Sequence, residues 1–201
     1  MNEACILVKP TYYVDVMTTP DGSQLAWIGA GDYGYVPRLG AKFYDEHNRA
    51  ALDRPADIAL FGTGSKPGST LYRAHRVLRQ VMGGLSPDAS LVWVVDCGQG
   101  EGPDLFAEWR ALDVDEIRYK ALRQASLIGL AALVIKETTA AHRVHLVSRL
   151  PGEIAIGWGF IPHETVDKAM FNAMPRSPEK AHWLVCEDAS EMLISLADAA
   201  A

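Results

Sequence analysis

Two apolar runs, each closed by a glycine-rich loop and then a helical pattern, constrain this chain more than any other feature. The first is Ile58-Ala59-Leu60-Phe61, followed by Gly62-Thr63-Gly64-Ser65-Lys66-Pro67-Gly68 and a basic helix opening at Ser69 or Thr70. The second is Ser90 to Cys97, followed by Gly98-Gln99-Gly100-Glu101-Gly102-Pro103. Neither run alternates apolar with polar residues, so each reads as a strand covered on both faces, as in a parallel sheet. If the two strands are parallel, right-handed crossovers put both loops at the carboxyl edge of the sheet, where ligand crevices form. A helix start at such an edge offers unpaired N–H groups to an anion, and glycine lets the backbone approach closely.

The flanking sequence completes an α/β pattern. Tyr12 to Thr19 and Gln24 to Ala30, separated by Pro20-Asp21-Gly22-Ser23, read as a β-hairpin. Pro37 suits the first turn of a helix running to about Ala51, although no Ser, Asp or Thr caps it. The helix after the first loop runs from Thr70 to about Gly83, with Leu71, Ala74, Val77, Leu78 and Val81 on its apolar side. Further helices are expected over Asp104 to Ala111, Asp113 to Lys136 and His163 to Met174, with Asp113 as a cap. His142 to Ser148 reads as a third strand with a half-exposed edge, Pro151-Gly152-Glu153 as the start of an irregular segment and Gly157 to Pro162 as a turn with a short extended piece. His182 to Cys186 reads as a last strand and Ala189 to Ala201 as a terminal helix or frayed tail. The order predicts one α/β domain over residues 1–201, Rossmann-like, three-layered, with a mostly parallel central sheet and an N-terminal hairpin.

Composition narrows the function classes. The 201 residues carry a formal charge of -6, which argues against a nucleic-acid binder held by its overall field. Cys5, Cys97 and Cys186 are widely spaced and odd in number, so neither a disulfide framework nor a zinc site is indicated, and a reduced, cytoplasmic setting is expected. The longest apolar run, Ile128 to Ile135, is too short to span a membrane.

The glycine loops match no nucleotide fingerprint. Gly62, Gly64 and Gly68 do not make GxGxxG, and Lys66 stands inside the loop rather than after its last glycine. Arg73 and Arg76 lie three apart at the helix start, which suits bidentate pairing with a carboxylate or phosphate; with Arg79 three residues on, a plain solvated basic face is the other reading. Gly98, Gly100 and Gly102 give the second loop a ligand role or a plain connecting one. His75, His142, His145, His163 and His182 have no metal-ligand spacing and read as structural or surface histidines, while Cys97 reads as a small buried residue.

Taken together, Gly62-Thr63-Gly64 through Thr70-Leu71-Tyr72-Arg73-Ala74-His75-Arg76, then Asp96-Cys97-Gly98-Gln99-Gly100-Glu101-Gly102-Pro103-Asp104-Leu105-Phe106-Ala107-Glu108-Trp109, then His142 to Ser148, resemble the C-terminal domain of the nickel-dependent lactate racemase family. The resemblance spans about Tyr12 to Ala173. It implies an active site between two α/β domains, in which a 2-hydroxy acid is isomerised by hydride transfer to and from a nickel pincer nucleotide. The family's N-terminal domain holds that cofactor and the catalytic histidines. This chain opens where the C-terminal domain would open, so the resemblance implies inactivity alone and activity in a heteromer with a separate N-terminal racemase subunit. The family's Tyr-Gln-x-x-Lys substrate segment maps onto Tyr72, Arg73 and Arg76, with Gln and Lys each replaced by Arg. That exchange implies a more anionic substrate or a changed role. The alternative from a different class is a non-catalytic α/β module that binds a small anion or stabilises a partner.

Overall fold

The computed structural model describes residues 11–19, 22–64, 66–175 and 177–197. Cys5, two hairpin-turn residues (Pro20 and Asp21), Ser65 in the first glycine loop and the end of the expected tail lie outside the described residues. The chain divides into two compact units, one up to Arg49 and one from Ala50 onward.

In the first unit, β1 (Tyr13–Thr18) and β2 (Leu25–Gly31) form the expected antiparallel hairpin, pairing Tyr13 with Gly31 and Val16 with Ile28. Helix α1 (Val36–Asn48) follows, with Pro37 in its first turn and no side-chain cap at Tyr35. Gly40 is where α1 meets the hairpin: a methyl there would stand 3.1 Å from both the Met17 methyl and the Trp27 ring. The helix ends three residues before the expected Ala51, because the chain turns extended into β3 (Arg49–Leu52), which carries it into the second unit and pairs there with that unit's β9 (Leu193–Leu196). The expected terminal helix or frayed tail is therefore a strand over those four residues, held by burial of Ile194.

The second unit is built on a five-stranded sheet. Its strands are β4 (Ala56–Gly62), β5 (Leu85–Val94), β6 (Arg143–Val147), β7 (Ile161–His163) and β8 (Trp183–Cys186), in the spatial order β7-β6-β5-β4-β8. All four pairings are parallel, so the fold is α/β with the expected mostly parallel sheet. One face carries Ala59, Phe61, Leu91, Trp93 and Leu146 into the main core; the other presents Ile58 and Val92 to a smaller one. Burial on both faces explains why β4 and β5 lack polar alternation. Each fully buried Leu, Ile or Phe here contributes about 1.5–3 kcal/mol relative to exposure.

The helices are shorter and more numerous than periodicity suggests. The expected helix from Thr70 is two pieces, α2 (Leu71–Ala74) and α3 (Arg76–Met82), meeting at His75. The expected helix over Asp104 to Ala111 stops early as α4 (Asp104–Ala107). Asp113 does cap the next helix, α5 (Val114–Arg123), in a reciprocal capping box with Glu116. The long apolar helix breaks after α5, where Ala125 takes a positive φ of 47°, and Ser126 caps α6 (Leu127–Ala141). The segment after Pro151, expected to be irregular, is α7 (Gly152–Gly157), and β6 is an interior strand rather than a half-exposed edge because β7 covers it. Helix α8 (Val166–Ala173) packs Ala169 and Ala173 on the Ile58 face.

Candidate functional site

Strands β4 and β5 run parallel with Gly62 opposite Val94, so the loops that follow them emerge side by side. Backbone hydrogen bonds stitch the loops together. Cys97 donates its N–H to the Gly68 carbonyl at 2.8 Å and Gln99 to the Ser69 carbonyl at 3.0 Å. In the other direction, Leu71 donates to Gly100 at 3.2 Å and Tyr72 to Glu101 at 2.8 Å. Arg73 donates its N–H to the Thr70 hydroxyl at 3.2 Å, which identifies Thr70 as the N-cap. The first N–H groups of α2 are thus already paired, and the expected crevice of free helix N–H groups does not exist. Any anion held here is held by side chains.

The glycines serve this stitching. A Cβ at Gly62 would stand 2.0 Å from the Glu187 carbonyl oxygen, one at Gly64 would meet the Asp188 carboxylate, one at Gly68 would crowd the Thr63 carbonyl, and one at Gly98 would strike the Arg149 guanidinium. Gly100 and Gly102 take φ values of 84° and 132°, a region that L side chains avoid, and Gly102 passes so close to Tyr72 that a Cβ would lie 2.6 Å from the tyrosine's own. The second loop is further pinned by Glu101, which accepts from Arg110 at 2.7 Å and from the Trp158 indole at 2.8 Å. At the loop's start Arg149 grips Asp96 with two bonds of 2.5 and 2.7 Å, and this pairing holds the Asp96 carboxyl below the usual carboxylate range.

Outside the pinned loops lies a cleft of about 460 Å³ lined by Lys66, Pro67, Tyr72, Arg73, His75 and Arg76. Tyr72 is its rigid wall: its ring meets Phe106 edge-on at 5.2 Å and tilts against His75 at 5.8 Å. Lys66, Arg73 and Arg76 are exposed, and no ion pair among the described residues involves any of them. The structure thus brings Tyr72, Arg73 and Arg76 to one cleft together with Lys66. Arg79 lies apart, in a groove of about 480 Å³ against Leu130, Val134 and Glu137 on α6. The other loop residues, Gly62, Gly64, Gly68, Gly98, Gly100 and Gly102, support the cleft without lining it.

His75 is the lining residue that sequence reasoning passed over as structural or surface. Its Nδ1 hydrogen-bonds the Tyr72 carbonyl, and its pKa is lowered, chiefly by burial, against the raising effect of that hydrogen bond and with help from Arg76 and Arg79. The signal available was its place between two arginines, three residues after Tyr72.

The remaining candidates lie elsewhere. Cys97 is buried, and burial first, then the Asp96 charge, pushes its thiol up to about 12, which disfavours a thiolate. His145 and His163, on neighbouring strands, pair Nδ1 to Nε2 at 2.8 Å. Among the described residues no group of three or more His, Cys, Asp or Glu side chains is placed to hold a metal ion. No described helix is long and apolar enough to cross a membrane.

No family model matches the chain, and no curated protein matches it in sequence. Among solved structures it is similar to the lactate racemase apoprotein from Thermoanaerobacterium thermosaccharolyticum, with a TM-score of 0.81 at 16% identity over 96% of this chain and 48% of that one. It is also similar to a protein from Thermotoga maritima, with a TM-score of 0.59 at 10% identity over 92% of this chain and 49% of that one. The fold is lactate racemase-like, and the chain spans about half the length of each of these structures.

Proposed function

We propose that this chain is the C-terminal, substrate-holding half of a lactate-racemase-like 2-hydroxy-acid racemase or epimerase, completed by a separately encoded N-terminal subunit. The observation that carries this reading is the cleft at the carboxyl edge of the sheet, where Tyr72, Arg73 and Arg76 converge and neither arginine has an ion-pair partner among the described residues. The likeness to roughly half of a lactate racemase structure supports it. A guanidinium presents a planar fork to a carboxylate, and unpaired arginines beside a rigid aromatic wall suit the binding of a small carboxylic acid.

In this reading, the chain's residues bind and orient. Arg76 and Arg73 take the substrate carboxylate, Tyr72 limits its rotation, and the two loops hold these side chains in place. A nickel pincer nucleotide supplies the hydride chemistry when bound, and it belongs to the N-terminal partner. The described residues do not make up a metal site, and no chemical step is assigned to this chain.

Co-expression with the product of a neighbouring reading frame that carries the family's N-terminal motifs tests the assignment. The expected result is a nickel-containing heteromer that racemises a 2-hydroxy acid, with neither subunit active alone. A partner that never associates with this chain would sink it. The second reading is a non-catalytic module that binds a small anion, and it is favoured by the cleft's composition. The described lining residues include three cationic side chains, Lys66, Arg73 and Arg76, and no carboxylate. Anion binding without any co-purifying partner supports that reading.

A further inference from the structure

Three cations face one small cleft in a chain whose overall charge is -6, so the positive surplus is local to the site. Three acidic side chains of the surrounding loops are engaged elsewhere. Glu101 is held by Arg110 and Trp158, Asp96 by Arg149, and Asp188 by the Gly64 N–H and Ser190. None of them forms an ion pair with Lys66, Arg73 or Arg76. The backbone N–H groups of the helix start are also spent, so the cleft recognises charge through these side chains alone.

A single carboxylate satisfies the fork of one arginine, or is shared by two. It leaves at least one positive charge of the cleft without a partner. Lys66 enters from the loop before α2, while Arg73 and Arg76 project from α2 and the start of α3. The cationic groups therefore enter the cleft from a loop and from the helices that follow it, which suits a ligand with two anionic ends better than one with a single anionic end.

We infer that the cleft selects a 2-hydroxy acid bearing a second anionic group, a carboxylate or a phosphate monoester, with Lys66 as a specificity-determining residue for that second group. This rests on the reading above that the cleft takes the substrate's carboxylate. Lys66 is exposed, and its truncation leaves the buried core untouched.

Calorimetric titration of the full chain at constant ionic strength with lactate, malate and 3-phosphoglycerate tests the inference, with sulfate as the control for unspecific anion attraction. Malate or 3-phosphoglycerate is expected to bind at least tenfold more tightly than lactate, and the better of the two names the second group. Lys66→Ala is expected to erase that preference, weakening malate or 3-phosphoglycerate at least fivefold more than it weakens lactate, and Lys66→Arg to restore it. Equal affinity for lactate and malate, with 3-phosphoglycerate no better, overturns the inference while leaving the carboxylate site standing. An equal loss of lactate and malate binding in Lys66→Ala overturns the role of Lys66, and sulfate binding as tightly as the hydroxy acids overturns the substrate reading of the cleft together with the inference.

Discussion

Arg76 stands exposed at the start of α3 with no partner among the described ion pairs, so its removal costs the fold little. Arg76→Ala is expected to weaken binding of the anionic ligand by about 1.5–3 kcal/mol, the range of a charge-assisted hydrogen bond, while the melting temperature stays within a degree or two. Calorimetry and a thermal melt on the same sample check both halves. Gly102 presents the opposite case. Its φ of 132° and the 2.6 Å approach to the Tyr72 Cβ mean that Gly102→Ala must move either the loop or the tyrosine. Strain at such a backbone position costs roughly 1–3 kcal/mol, and the variant is expected to lose both stability and anion affinity. A Gly102→Ala protein with wild-type melting and binding would show that the loop does not position Tyr72. Spacing singled out Arg73 and Arg76, and the family resemblance added Tyr72, but His75 required coordinates. A histidine's role follows from which of its nitrogens is engaged and what surrounds the ring, and neither is encoded in spacing.

Among the elements, those with strong local signals appear where the residues put them. Asp113 and Glu116 form both bonds of a capping box, so α5 begins where the sequence says it begins. Asp113→Ala is expected to cost about 1 kcal/mol of stability, read as a lowered denaturant midpoint with an unchanged slope. Breaks within helices were less legible. The run from Asp113 to Lys136 holds no proline, yet Ala125 turns left-handed and Ser126 restarts the helix as a cap, with Gly129 one turn on pressed against Trp109 and Ala121. Packing of α5 on α6 outweighs the local cost of that turn. Likewise β3 and β9 are short segments whose strand character comes from each other. A pairing between residues far apart in sequence leaves little trace in either segment alone.

For the second unit as a whole, the buried His145 makes stability depend on pH. Burial first, then the neighbouring His163 and Arg143, lowers its pKa from 6.5 to about 4, so the folded chain keeps the imidazole neutral where the unfolded chain would protonate it. Protons therefore favour the unfolded state between these values. The contribution is fully present above about pH 6.5 and is lost as the pH falls toward 4. Chemical denaturation at pH 7 and pH 5 is expected to differ by about 2 kcal/mol, and His145→Gln is expected to flatten that difference. A variant with the wild-type pH slope would assign the effect to other groups. The aligned parallel strands, the hairpin and the glycine-closed strand ends follow from residue periodicity and turn chemistry, which act over a few neighbouring residues. What tertiary structure alone decided is the state of the opening glycine junctions. Register between β4 and β5 brings the carbonyls of Gly100 and Glu101 onto the first N–H groups of α2, so those groups are paired and the cationic groups of the cleft are the side chains of Lys66, Arg73 and Arg76. That register is set by how two strands fit a shared core, and no local stretch of sequence carries it.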